Sequence, residues 1–149
     1  MRQILAGSAG LVAGVAIVLA AGTAGARGFH PIYAFEGNAD GTNSQDRLLR
    51  DAAGNLYGTS TGGSGSQGTL FVLSPGGVKT TLYSFTNGIG VPGRPTGGVV
   101  MDGAGNLYGE ASYGGAFNCN YGGSNSPDCG SVYKLATDGT LTTLHAFQG

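Results

Sequence analysis

Beyond residue 26 the hydrophobic positions fall in short runs, some alternating and some doubled, each closed by Gly, Asp, Asn or Pro. That is the pattern of strands and tight turns, and no stretch in this region repeats its apolar residues at helical spacing. The runs predict four strands in one segment, approximately Arg47–Arg50, Asn55–Ser60, Thr69–Ser74 and Thr80–Phe85. They predict four more in the next, approximately Gly98–Met101, Asn106–Ser112, Ser131–Ala136 and Leu141–Phe147. Leu70 and Val72 lie opposite Phe71 and Leu73 on successive faces, so a sheet covered on both sides is expected.

The two sets are copies of one another. "DAAGNLYG" (51–58) returns 51 residues later as "DGAGNLYG" (102–109), and the flanks follow in the same order. "GTLFVLSPGG" (68–77) answers to "GSVYKLATDG" (130–139), and "TTLYSFTNG" (80–88) to "TTLHAFQG" (142–149). "PIYAFEGN" (31–38) is a third copy of that last segment. Tandem units of about 50 residues with four short antiparallel strands each predict an all-β chain of blade-like units. The expected architecture is a partial β-propeller of two units plus one extra strand: unit 1 about 33–82, unit 2 about 83–144, and the start of a third copy at 145–149. Most of the extra length of unit 2 lies after Gly114 and Gly115. A blade cannot bury its faces alone, and two are fewer than the roughly 4 to 8 of a closed ring. The options are association with other chains, truncation from a longer array, or a small two-sheet structure.

The order "LYSF", a Gly- and Pro-containing segment, "D-x-x-G-N-L-Y-G", paired glycines, "G-[ST]-[LV]-[FY]-x-L" and a short turn before "LTTL" resembles the GloVer-type tandem repeat of bacterial exported proteins. The resemblance covers almost all of the chain after residue 26 and implies a propeller-like fold, with no catalytic residues to carry over. The chain differs from that pattern in its two copies and in a Cys-bearing insertion. A weaker likeness to NHL-type repeats with a "D-x-x-G-N-L-Y" core implies the same fold.

The N-terminal stretch changes the compartment. Arg2, an uncharged Ala/Val/Leu/Gly run and the small-residue site Ala24-Gly25-Ala26 have the layout of a secretory signal peptide, residues 1–26. An uncleaved anchor is the competing reading, since the run is long enough to span a bilayer. The β-repeat domain, 27–149, is then expected to be secreted, periplasmic or at the cell surface. It carries six of the seven basic and all eight acidic residues, a net charge of −2, with no basic cluster, which argues against nucleic acid as a partner. Its 26 glycines in 123 residues are interleaved with Leu, Val, Tyr and Phe, which favours turn-rich β structure over disorder.

Candidate chemistry is sparse. Asp51 with Gly54, and Asp102 with Gly105, have the spacing of a hairpin turn in which Asp caps the backbone and Gly takes the left-handed conformation. A turn is needed in every blade, whereas catalysis needs one site. Cys119 and Cys129, the only cysteines, bracket a Gly/Ser/Asn/Pro-rich insertion, and in an exported chain they are expected to form a disulfide. In and beside that insertion Tyr113, Phe117, Asn120 and Tyr121 form the candidate binding loop. "EGNADGTNSQD" (36–46) has oxygen ligands at alternating positions like a calcium loop, but Arg47 stands where the bidentate Glu is required.

His30 and His145 lie near the two ends, His145 at the position of Tyr33 and Tyr83, which suits packing. Glu110 replaces Thr59 and is the one acid set against the repeat; with His145 or Asp128 it would make an acid–base pair. No nucleophile elbow, zinc-helix or phosphate-loop motif is present. The expectation is therefore an exported non-enzymatic β-repeat protein, a binding or structural module with no cofactor and no metal. Its partners would be protein or glycan, or further repeat chains including copies of itself. The alternatives are a glycan-directed lyase or hydrolase on a propeller-like scaffold and a truncated fragment without function.

Overall fold

The computed structural model describes residues 28, 30–37, 40–44, 47–62, 67–86, 91–115, 119–121, 124–126 and 129–148. The signal-peptide stretch 1–26, Phe117 and Asp128 lie outside the described residues. Every element among the described residues is a β-strand: β1 Leu49–Arg50, β2 Leu56–Ser60, β3 Thr69–Leu73, β4 Lys79–Ser84 and β5 Gly93–Met101. There follow β6 Leu107–Tyr113, β7 Cys119–Tyr121, β8 Ser124–Ser126, β9 Ser131–Leu135 and β10 Leu141–Ala146, all within the compact unit Pro31–Gly149. β1-β2-β3-β4 form one antiparallel sheet, β5-β6-β9-β10 a second, and β7-β8 a separate two-stranded ribbon. The expected all-β class and the four strands per unit are present. Both sheets are open-edged, so among the described residues they do not close a ring.

Three expectations are corrected. β5 begins at Gly93 rather than Gly98, because Pro95 sits on an edge strand where its missing N–H is not needed by the ladder. "PIYAFEGN" forms no strand within 31–37, although its Phe35 packs on the first sheet. The insertion contains a hairpin, with Cys119 opposite Ser126 and Tyr121 opposite Ser124.

Why the sheets stack follows from the period of two along each strand. In the second sheet one face carries Leu107, Ala111, Tyr133 and Leu135, all buried, and the other carries Tyr108, Glu110, Val132 and Lys134. We term these front and back. By the repeat, Gly58, Phe71 and Leu73 lie on the front of the first sheet, and Tyr57, Thr59 and Leu70 on its back. Leu70 and Phe85 share one core cluster with Leu107, Ala111, Tyr133 and Leu135, so the back of the first sheet packs on the front of the second. Phe85 and Tyr133 meet edge to face at 5.2 Å, a geometry that contributes about 0.5–1.5 kcal/mol beyond area burial. The bulge of β5 between Thr96 and Val100 reaches across as well: Thr59 Oγ1 donates to the Gly97 carbonyl at 3.0 Å.

The front of the first sheet is covered by the N-terminal segment. Phe35 lies 5.3 Å from Phe71, edge to face. This repeats the Phe85–Tyr133 contact, because Phe35 and Phe85 are equivalent and so are Phe71 and Tyr133. The adjoining pairs Tyr33–Phe35, Tyr83–Phe85 and His145–Phe147 also share a T-shaped geometry, at 5.3, 5.2 and 5.0 Å. The stack is thus directional, each front receiving an aromatic from the element before it.

Candidate functional site

The doubled octapeptide is a turn built around a carboxylate. Asp102 Oδ1 accepts from the backbone N–H of Ala104 and Asn106, both at 2.9 Å, and Oδ2 accepts from Asn106 Nδ2 and the Tyr108 hydroxyl, both at 2.8 Å. Asp51 is held likewise by Asn55 N at 2.8 Å, Asn55 Nδ2 at 2.7 Å and the Tyr57 hydroxyl at 3.2 Å. Gly54 and Gly105, with φ of 88° and 86°, return the chain in the left-handed region. The sequence shows the Asp–Gly spacing, but Asn and Tyr also serve as donors, so each carboxylate is committed to its own hairpin. Gly58 and Gly109 end the octapeptides flat beneath Phe71 and Tyr133, their cross-strand partners.

Hydrogen bonds from Asn106, then from Tyr108, hold the Asp102 carboxyl down to about 2. Its free-chain value is near 3.9, so the charge supports the fold above about pH 4, and that support is lost as the pH falls towards 2. Denaturant midpoints measured from pH 5 to 2 are expected to fall most steeply in that window. Asp102→Asn should lower the midpoint at neutral pH and flatten the acid limb. An acid limb unchanged by the substitution would exclude this role.

The candidate binding loop is placed in part. Tyr113 ends β6, where Arg94 Nη1 donates to its hydroxyl at 3.1 Å and the guanidinium lies 5.6 Å from its ring centre. Arg94 has a φ of 50°, uncommon outside glycine, and nothing in the sequence singles it out. Asn120 and Tyr121 belong to β7, but their side chains, like that of Cys119, lie outside what is described. Cys129 is half-buried just before β9.

Glu110 is exposed on the back of the second sheet, beside an open depression of about 370 Å³ lined also by Thr96, Val100, Tyr108 and Val132. The lining brings it neither His145 nor a second acid. His145 lies in β10 against Phe147, exposed rather than packed, because among the described residues nothing covers this face as the second sheet covers Tyr83. Among the described residues no cluster of three His, Cys, Asp or Glu side chains is placed to hold a metal ion.

In the calcium-like segment Asp40 Oδ1 accepts from Lys79 Nζ and the Tyr33 hydroxyl, both at 2.8 Å, and Oδ2 from Glu36 N at 2.9 Å. Burial raises the Asp40 carboxyl, and the hydrogen bonds from Lys79, Glu36 and Tyr33 outweigh it, leaving a net downward shift. A fixed ammonium therefore occupies the position at which this carboxylate would face a cation; Asn38 and Asp46 lie outside the described residues. The ion pair was not legible in sequence, since Lys79 is 39 positions away.

No family model, curated protein or solved structure matches the chain.

Proposed function

We propose that the chain is an exported, non-enzymatic repeat protein of the GloVer type, acting as a binding or structural module at or outside the cell envelope after cleavage behind Ala26. The two sheets act as consecutive propeller-like units, a Cys119–Cys129 disulfide staples the insertion, and the partner is a protein or a glycan. One observation carries this reading. The Asp, Asn and Tyr shared by the two octapeptides are taken up by their own turns, while the β7–β8 hairpin has no counterpart among the described residues of the first copy. Recognition on a rigid β scaffold ordinarily resides in such excursions.

The reading is tested by replacing residues 117–128 with a short Gly-Ser link and measuring co-sedimentation with an isolated cell-envelope fraction. Retention by the native chain, loss of retention by the variant and an unchanged far-ultraviolet circular dichroism spectrum are expected. The native chain should also take up no alkylating reagent without reductant. Equal retention by both chains, or turnover of envelope polysaccharide by the native chain, would overturn the proposal.

A further inference from the structure

The back faces of the two sheets carry the same apolar positions in different surroundings. In the first sheet Leu49, Tyr57, Leu82 and Tyr83 pack against the core, with Leu70 and Phe85 fully buried. Their equivalents in the second sheet face solvent: Val100 is 65 % exposed, Leu144 52 % and Phe147 43 %, with Val132 half-buried among them. Phe147 is anchored as Phe85 is, its N–H bonded to the Gly130 carbonyl at 3.0 Å as that of Phe85 is to Gly68 at 2.9 Å. The aromatic is presented in the same way, and among the described residues no further sheet receives it.

We propose that this back face docks the front of the first sheet of a second copy of the chain, head to tail. The proposal rests on reading the two sheets as consecutive units of one stack. One observation selects a second copy: the docked contact would continue the interface already inside the chain, with Phe147 meeting the partner's Phe71 as Phe85 meets Tyr133 and as Phe35 meets Phe71.

Phe35 and Phe147 compete for one ring. The segment 31–37, which forms no strand, acts as an internal plug that must yield before a second copy docks.

Sedimentation velocity at rising concentration tests this on the full chain, expressed from its own start codon so that N-terminal processing takes place. Reversible multiples of the single-chain mass are expected, weakened at least about tenfold by Val132→Lys or Phe147→Ala and strengthened by Phe35→Ala. Val132 and Phe147 lie on the free back face and Phe35 in the plug, and unchanged circular dichroism confirms that each variant is folded.

Association by Phe35→Ala alone also supports the docking surface and its plug. A single-chain mass for both the native protein and Phe35→Ala at every concentration would overturn the proposal, as would association indifferent to Val132→Lys and Phe147→Ala. The chain lacking residues 117–128 should associate as the native one does, so failure at this face is read separately from failure of the hairpin to bind.

Discussion

Phe85→Ala is expected to destabilise the fold by about 3–5 kcal/mol, whereas Phe147→Ala, the same change at the equivalent position of the next repeat, should cost less than about 1 kcal/mol. Phe85 is fully buried between the sheets, where its ring meets Tyr133; removing it leaves a void lined by side chains that cannot collapse without separating the sheets. Phe147 is 43 % exposed and contacts the His145 ring. Urea unfolding of the two variants under dilute conditions checks the contrast. Should Phe85→Ala fail to fold, Phe85→Leu supplies a milder version of the same deletion. Equal costs at the two sites would mean that the sheets do not stack as described.

A second large effect is expected at Gly68. Its φ is 107°, and an added Cβ would run into the Ser60 carbonyl oxygen and lie 2.7 Å from Pro95 Cδ. Gly68→Ala therefore combines left-handed strain with a clash against backbone and against the facing sheet, together about 3 kcal/mol. Gly139 offers an internal comparison. Its φ is 87°, but no atom would lie within 4 Å of its added Cβ, so Gly139→Ala should cost only the backbone part, about 1 kcal/mol. The difference between their denaturation midpoints isolates the crowding at the sheet junction, and a difference of zero would remove it from the account.

The sequence discloses the strands wherever an apolar run ends in a turn signal, and the repeat places β2, β3 and β4 in correspondence with β6, β9 and β10. Where it misleads, a partner decides the outcome. Tyr33 and Phe35 belong to a strand pattern, but among the described residues their segment pairs with no sheet edge, and it is held instead by side chains: Phe35 on Phe71, and the Tyr33 hydroxyl and Lys79 on Asp40. Pro95 reads as a turn until the strand is known to be an edge.

Bulges at Leu82 and Leu144 shift the register between Thr81 and Tyr83 and between Thr143 and His145. Each changes which side chains face the neighbouring sheet, and a binary pattern does not encode that shift. Of the candidate site, the Asp–Gly turns were legible because their chemistry is local. Glu110 stood out against the repeat, but its depression depends on the bulged path of β5, and Arg94 and Lys79 act through contacts far apart in sequence.

The hairpin β7–β8 leaves and rejoins the second sheet between two strands that pair with each other directly, with Ala111 opposite Ser131 at the point of departure. An excursion whose ends are clamped side by side transmits little of its own length or shape to the ladder beneath, and its entropic cost grows only with the logarithm of its length. The junction is therefore a graft point, where one scaffold can carry insertions of different length and sequence while the two sheets stay as they are.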